Sequence, residues 1–346
     1  MCSYIIIEVC VSISIYFITS PPGIRNMIHL DTVDQLSITI LVDNYTDILL
    51  TSSENVQRPP IIDKRKDSLL IPLAEHGFAS LIEIRYDDNS KTSRFLFDAG
   101  VSPDGLITNA NILGINIADI DSIILSHGHA DHYTGLIKLL QQISRQIPLY
   151  AHPDAFSKRW LILPDDSRVS SMLNEDDLER YGAVIFKNDG ITALPDKNKP
   201  RLLVTGQIPR VTSFERGFPY QYKESLETGE IVHDPLINDD QALIINVKDR
   251  GLVILTACGH AGVINTVEYA KKITGIDNVY GILGGFHLSG KIYENIIDPT
   301  LHELVKLKPR FIVPCHCTGW KAVNKIIQLM PDSFIQTSVG SKFVFS

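Results

Sequence analysis

The sequence predicts an α/β protein in which two β-sheets pack face to face and helices cover their outer faces. Two observations support this fold class. Strand-like apolar runs fall into two groups along the chain, and helical patterns accompany each group. Polar loops that contain histidine follow several of these strands, which is where α/β proteins carry their ligand groups.

Composition is that of an ordinary globular protein. Of the 346 residues, 44% are hydrophobic and 21% are charged, which argues against intrinsic disorder, collagen-like repeats and a multi-span membrane protein. The formal net charge of −8 argues against a fold-wide basic surface for nucleic acid. Five unevenly placed cysteines are too few for a disulfide framework.

Residues 1–30 are predicted to be an apolar N-terminal extension that precedes a single domain over 31–346. Residues 4–18 are strongly apolar, but Glu8 interrupts them and the first basic residue is Arg25, unlike a typical signal peptide. We interpret the run as an appended or mis-started segment, with Met27 as the working start. A signal anchor is the alternative.

The first group of elements lies before residue 154. A loop is predicted over the polar stretch 51–66 and a helix over 136–145, and the predicted strands are 36–43, 79–86, 93–97 and 122–125. Residues 154–240 are more acidic and contain scattered prolines and glycines. We predict that they form a cap-like insertion that carries binding loops.

The second group of elements follows the predicted insertion. Its predicted strands are 242–247, 252–256, 279–283, 311–313 and 343–345, and its predicted helices include 262–274 and 321–330. A further helix is predicted to begin at Asp298, with Asp298 as its N-cap and Pro299 as its first residue.

The segment His127-Gly128-His129-Ala130-Asp131-His132 carries the main chemical signal. It places three imidazoles and one carboxylate within six residues, directly after a predicted strand. Neutral imidazole and carboxylate are ligands of zinc and similar transition metals. Since residues two apart project the same way in an extended turn, His127 and His129 are expected to bind one ion, and Asp131 and His132 to face a second.

Three further histidines follow predicted strands in the second half of the chain. His260 follows LVILTAC, His287 follows VYGILGG and His316 follows FIVPC. A lone buried histidine is usually a hydrogen-bonded core residue. Because all three share the position of the first cluster at a strand end, we expect a common site.

This pattern resembles the metallo-β-lactamase superfamily, whose hallmark is HxHxDH after a strand with later strand-end histidines. The resemblance implies a four-layer αββα sandwich with the metals at one edge. It assigns His127, His129 and His260 to a first metal, and Asp131, His132 and His316 to a second. LFDAG at 96–100 resembles the superfamily's first motif, which makes Asp98 a supporting carboxylate behind the ligands.

A closer resemblance is to the dihydropterin-methyl ribofuranosylaminobenzene phosphate synthases of the methanopterin pathway. It rests on AEHGFASLIEI (74–84), TGQIPRVTSFE (205–215), DDQALII (239–245), ACGHAGVINT, LGGFHL and PCHCTGW. The implied reaction condenses a phosphorylated ribose partner with a dihydropterin diphosphate. In one departure, many two-metal members have a bridging Asp at a strand end that here is Leu283-Gly284-Gly285-Phe286-His287. Either the second metal then binds more weakly, or His287 replaces the Asp or faces the substrate.

Weaker candidates surround this motif set. Arg210 is a candidate phosphate ligand, with a surface salt bridge as the alternative. Glu75 and His76 are candidates for substrate binding, with hydrogen bonds within a loop as the alternative for His76. Three cysteines next to the histidines are interpreted as buried small hydrophobes, with a Cys-His-Cys metal site at 315–317 as the alternative: Cys258, Cys315 and Cys317.

The sequence therefore predicts a cytoplasmic metalloenzyme with one or two divalent ions, zinc first and magnesium or manganese as alternatives. Three functions stay open: a transferase or synthase acting on a phosphorylated pterin-like or ribose phosphate metabolite, a hydrolase of a lactone, thioester or phosphoester, and a non-hydrolytic metal-binding or redox protein. In the catalytic interpretations Asp131 steers the reacting group and His287 is a second candidate. The expected partner is a small anionic metabolite, with neither nucleic acid nor stable membrane association.

Overall fold

A computed structural model describes residues 27–346 except 64–66, 88–89 and 226–227. The apolar run at 4–18, on which the extension and anchor interpretations depend, lies outside the described residues. Within the part of the chain that is described, no helix has the length and apolarity needed to cross a bilayer.

The first sheet has eight strands and is built mainly from the N-terminal half of the chain. Its spatial order is Ala183–Lys187, Ile147–Ala151, Ser122–Ile124, Lys91–Phe97, Ala79–Tyr86, Gln35–Val42, Lys342–Phe345 and Val56–Gln57. The first four strands of this order are parallel to one another. Their carboxyl ends therefore meet at one edge, and Asp98 and His127 follow two of these ends.

The second sheet has seven strands and is built mainly from the C-terminal half. Its spatial order is Thr192–Leu194, Leu202–Val204, Leu243–Val247, Gly251–Thr256, Val279–Gly285 and Phe311–Cys315, and Thr32–Val33 pairs with Leu243–Val247. The last three strands of the order are parallel. Each of these three is followed by one of the predicted strand-end histidines, so all three histidines lie at the same edge.

The two sheets face each other across the main hydrophobic core. Val253 and Leu255 point into this core, whereas the alternate residues Leu252 and Ile254 pack against outer helices. Both faces of the strand are therefore buried, which explains its unbroken apolar sequence. Long helices cover the second sheet at Val263–Thr274, Glu294–Leu307 and Trp320–Leu329, and helices cover the first sheet at Gly105–Leu113, Leu136–Ile143 and Glu175–Arg180. The predicted four-layer α/β sandwich is confirmed.

Residues 154–240 contribute to three sheets. Four of their strands form a separate antiparallel sheet, in the order Arg168–Ser171, Arg159–Ile162, Gln221–Glu224 and Ile231–His233. Ala183–Lys187 joins the first sheet, and Thr192–Leu194 and Leu202–Val204 join the second. The range predicted as one insertion therefore contains a small sheet of its own together with edge strands of the sandwich.

The helix predicted to begin at Asp298 begins one turn earlier, at Glu294, and Pro299 lies inside it. The prediction of an Asp298 N-cap was wrong. The Asp298 carboxylate instead pairs with Lys325 on the next helix. Pro299 has no N–H, so the helix gives up one backbone hydrogen bond at this position.

Candidate metal centre

Three histidines from both sheets meet at the shared edge of the sandwich. The ring centroids of His127 and His129 lie 4.5 Å apart, and both lie within 4.8 Å of the ring of His260. His260 Nε2 is 3.1 Å from His129 Nδ1. We call His127, His129 and His260 the first group.

A second group lies beside the first and consists of Asp131, His132 and His316. Asp131 Oδ2 is 3.4 Å from His316 Nε2 and 3.7 Å from His132 Nε2. The rings of His127 and His132 are 4.3 Å apart, so the two groups adjoin. The structure thus brings together all six side chains that the resemblance assigns as metal ligands.

The local backbone explains how one hexapeptide serves both groups. His129 is extended, and the helical turn Ala130–Tyr133 begins directly after it, which turns Asp131 and His132 toward the second group. Gly128 allows the close approach of another loop, because a Cβ atom there would lie 2.2 Å from the carbonyl oxygen of Ala155. Its backbone N–H donates to the Asp239 carboxylate at 2.8 Å.

Hydrogen bonds behind the ligands fix the orientation of each ring. Asp98 accepts from the Ser126 N–H and hydroxyl and pairs with His132 Nδ1 at 2.6 Å. The Ser126 hydroxyl also lies 2.8 Å from His127 Nδ1. Such contacts behind metal-binding histidines select the tautomer and hold the ring in place.

Two amide side chains support one ligand in each group. Gln221 Oε1 is 3.0 Å from His129 Nε2, and Asn44 Oδ1 is 3.0 Å from His316 Nδ1. Gln221 comes from the separate four-stranded sheet, whereas Asn44 follows the Gln35–Val42 strand. These contacts leave His129 Nδ1 and His316 Nε2 directed toward the groups.

The donor atoms fit a cation. His127 Nε2 is buried and has no hydrogen-bond partner, and the buried Nε2 atoms of His132 and His316 face only the Asp131 carboxylate. Buried polar atoms in native proteins are almost always paired, so these nitrogens indicate a place for a cation. Imidazole nitrogens with a neighbouring carboxylate suit zinc and similar divalent transition metals.

Electrostatics differ between the two groups. Burial lowers the pKa of His127 and His260 far below the usual value and, together with Arg159, lowers the pKa of His129 to about 4. These imidazoles are therefore neutral and have a lone pair to offer.

In the second group, burial alone would lower the pKa of His132, but the carboxylates of Asp131 and Asp98 outweigh it and raise that pKa to about 9. Burial alone would raise the pKa of Asp131, but His132 and His316 hold it well below its usual range. The second group therefore contains a charged pair.

Glu75 and His76 lie close to the second group and occupy different environments. Glu75 Oε1 accepts from the backbone N–H groups of Val101 and Ser102, each at 3.2 Å, so this carboxylate stabilises the loop before a helix. The His76 side chain is 71% exposed, and its Nε2 lies 3.5 Å from Asp131 Oδ2. Of the two, only His76 faces the site.

Arg210 and His287 also differ from each other in position. Arg210 donates to the backbone oxygens of Ile208, at 2.6 Å, and Leu236, so it joins two loops. His287 has its ring centroid 4.0 Å from that of His260. It also lines a cavity of about 210 Å³ beside the first group, together with Phe286, Tyr293 and Arg216.

Several functional contacts escaped the sequence analysis. Asn44 and Ser126 each lie two residues after a buried strand, so a search of every polar residue near a strand end would have found them. Gln221 and Asp239 carry no such signal, because their positions depend on how the four-stranded sheet packs. Cys258 lies two residues before His260, but we interpreted it from the sequence as a buried small hydrophobe.

Comparisons with known proteins show the family to which the chain belongs. A sequence profile for the β-lactamase superfamily domain matches residues 93–175. A protein of Methanocaldococcus jannaschii, 7,8-dihydropterin-6-methyl-4-(β-D-ribofuranosyl)-aminobenzene-5′-phosphate synthase, is 32% identical over 277 residues, which cover 79% of this chain and 90% of that protein. An uncharacterised protein of the same organism is 35% identical over 271 residues, 77% of this chain and 92% of its own.

Among solved structures, one described as a metal-dependent hydrolase of the β-lactamase superfamily has a TM-score of 0.66 at 22% sequence identity. The match covers 89% of this chain and 98% of that one. At this identity the likeness shows a shared fold.

Proposed function

This chain belongs to the metallo-β-lactamase superfamily, in the family of the Methanocaldococcus jannaschii synthase, and from that premise we propose a metal-dependent synthase. Its substrates would be a dihydropterin diphosphate and a phosphorylated ribofuranosyl-aminobenzene, or close analogues of these anionic metabolites. The relative's name identifies the product class, and its similarity extends over most of both chains.

The observation that carries the proposal is the meeting of two ligand groups at one edge of the sandwich. His127, His129 and His260 would hold one divalent ion, and Asp131, His132 and His316 a second. When bound, such ions neutralise the negative charge of diphosphate and phosphate groups. Zinc is the cation we propose, with magnesium and manganese as the alternatives to test.

The chain's own residues supply orientation. Asp131 remains ionised and 22% of its side chain is exposed, so it can accept a hydrogen bond from the amine that attacks the carbon bearing diphosphate, and the amine proton then passes to solvent. His287 lies on the cavity wall beside His260, where it can donate a hydrogen bond to the departing diphosphate oxygen. The new C–N bond forms as the C–O bond to diphosphate breaks.

A small-molecule substrate and a cytoplasmic location complete this proposal. The formal net charge of −8 disfavours a nucleic-acid substrate. Arg210 would then contribute by holding together the loops that it joins, and Glu75 would contribute by stabilising the loop beside the second group.

One observation favours a hydrolase as the second candidate. The cavity beside the first group has a volume of about 210 Å³, whereas pockets for drug-sized ligands usually span about 300–1,000 Å³. A single small lactone, thioester or phosphoester would occupy less space than two condensing substrates.

The deciding experiment is a product assay with the full-length, zinc-loaded protein. A dihydropterin diphosphate is incubated with and without a ribofuranosyl-aminobenzene phosphate, and products are identified by mass spectrometry. We expect a condensed product, with diphosphate released only when both substrates are present. Diphosphate release from the pterin alone, or turnover of a lactone, thioester or phosphodiester panel, would contradict the synthase and support the hydrolase.

A further inference from the structure

The end of the Val279–Gly285 strand lacks the carboxylate that many two-metal relatives carry, and the structure shows what fills that space. A Cβ atom at Gly285 would lie 2.5 Å from the carbonyl oxygen of Ala257, 2.8 Å from Cys317 Sγ and 3.1 Å from Cys258 Cα. No side chain fits there without displacing its neighbours. Two cysteines from adjacent strand ends therefore occupy the region into which a residue at 285 would project.

Cys258 has the more central position of the two. Its Sγ lies within 4.8 Å of a ligand nitrogen of His127 and of His260, and also within 4.8 Å of a ligand nitrogen of His132 and of His316. It is thus close to both groups at once. This is the position that a side chain shared between two cations requires.

The surroundings of Cys258 are polar, unlike those of an ordinary buried thiol. Its Sγ lies 3.2 Å from His287 Nδ1 and 3.2 Å from Cys317 Sγ. Cys315 provides the contrast within the same chain, because it belongs to the hydrophobic core between the sheets. The interpretation of the cysteines as small hydrophobes therefore describes Cys315 and does not account for Cys258.

We propose that Cys258 Sγ is a ligand of the metal centre, placed between the first and second groups where relatives use a bridging carboxylate. The inference rests on the proposed metal centre and adds a sulfur donor to it. The buried Nε2 atom of His127, which has no hydrogen-bond partner, is an independent observation that points to a cation in this region. Cys317 donates to the backbone oxygen of Cys258 at 3.0 Å and so acts as a positioning residue.

This assignment has a consequence for metal choice. A thiol binds as thiolate, so loading the site transfers the Cys258 proton to the buffer. Thiolate is a soft ligand that favours zinc, cobalt or iron, whereas magnesium and manganese favour oxygen ligands. A sulfur donor in the site therefore favours zinc over magnesium and manganese.

The test is cobalt(II) titration of the full-length protein, followed by absorption spectroscopy and metal analysis. A thiolate bound to cobalt(II) gives an intense near-ultraviolet charge-transfer band that nitrogen and oxygen ligands do not give. We expect this band in the wild type, its loss in Cys258→Ser, and its retention in the matched control Cys315→Ser. We also expect Cys258→Ser to bind one of the two cobalt ions at least tenfold more weakly.

A second measurement covers the case in which Cys258→Ser fails to fold. In the zinc-loaded variant Cys2→Ser/Cys10→Ser/Cys315→Ala/Cys317→Ser, Cys258 is the remaining cysteine. X-ray absorption should then show a zinc–sulfur distance of about 2.3 Å.

The outcomes separate this proposal from the metal centre itself. Cobalt binding with no charge-transfer band in the wild type would overturn the Cys258 assignment and leave the histidine centre intact. Loss of the band in Cys317→Ser with its retention in Cys258→Ser would overturn the assignment in favour of a separate site that includes Cys317 and His287. Failure of the wild type to bind any divalent ion would overturn both proposals.

Discussion

The first and second ligand groups lie side by side yet differ in charge and in exposure. His127, His129 and His260 are neutral imidazoles, because burial disfavours their protonated forms. The second group pairs an ionised Asp131 with a protonated His132 and is bordered by the exposed His76. The three imidazoles of the first group can bind a cation without losing a proton, whereas His132 in the second group must lose one. We therefore expect the first group to be the anchoring site and the second the adjustable one.

The largest expected effect is that of His127→Ala. This change removes one of three imidazoles from the first group, and we expect turnover to fall on the order of 1,000-fold, because a lost catalytic ion costs several kcal/mol of barrier stabilisation. Metal analysis should show loss of the anchoring ion. His302→Ala, on the exposed face of the Glu294–Leu307 helix, is the matched control and should change neither quantity. Full activity in His127→Ala would mean that the first group is not the anchoring site.

A second prediction concerns the support behind the His260 loop. Glu215 accepts from the backbone N–H groups of Ile264 and Asn265, and burial raises its pKa to about 7. A carboxyl group whose folded pKa is raised stabilises the protein fully below its unfolded pKa and loses that contribution as pH rises through 7. This group should therefore make the free energy of unfolding fall by about 3 kcal/mol between pH 4 and pH 8.

Urea denaturation at a series of pH values measures this effect. Glu215→Gln cannot ionise and should show a flatter dependence on pH over the same window. Glu179→Gln, at an exposed position of the Glu175–Arg180 helix, should retain the wild-type dependence. Parallel curves for Glu215→Gln and the wild type would show that burial does not raise the pKa of Glu215.

A paired experiment tests whether the two groups are independent. Gln221→Ala removes the partner of His129, and Asn44→Ala removes the partner of His316. Each should weaken binding of one cation by about 10–100-fold and leave the other unchanged, because contacts behind metal ligands typically contribute that much. Competition titration with a chelator measures both affinities, and each variant serves as the control for the other. Equal losses at both sites in either variant would show that the groups bind as one unit.

The smallest expected effect is that of His76→Ala. The side chain is 71% exposed and lies 3.5 Å from Asp131, and exposed pairs contribute about 0.2–1 kcal/mol. We expect at most about a fivefold loss of affinity at the second group and no change at the first. A loss of 100-fold or more would make His76 a full ligand of the second group.

The sequence was most informative where ligands are contiguous or follow apolar strands. The hexapeptide 127–132 showed its four donors together, and His260 and His316 stood at the ends of recognisable strands. Since parallel strands of one sheet end at one edge, their convergence was predictable without coordinates.

Other features depend on tertiary contacts that no local pattern encodes. Cys258 and Cys315 look alike in sequence, each at a strand end near a histidine, and only packing places one beside both ligand groups and the other in the core. Asp298-Pro299 carried the local signal of a helix start, but the helix begins one turn earlier, in a turn that buries Ile297. Gln221 depends on the docking of a separate sheet.

The origin of the ligands in two different sheets has a consequence for folding. His127–His132 come from the N-terminal half and His260 and His316 from the C-terminal half, so an ion held by both is a cross-link over more than a hundred residues of chain. Because the metal binds only the folded sandwich, in which both sheets are assembled, metal binding would stabilise the folded state by mass action. Because both sheets share one hydrophobic core, chelation should lower the free energy of unfolding of the whole sandwich and should not release either sheet separately.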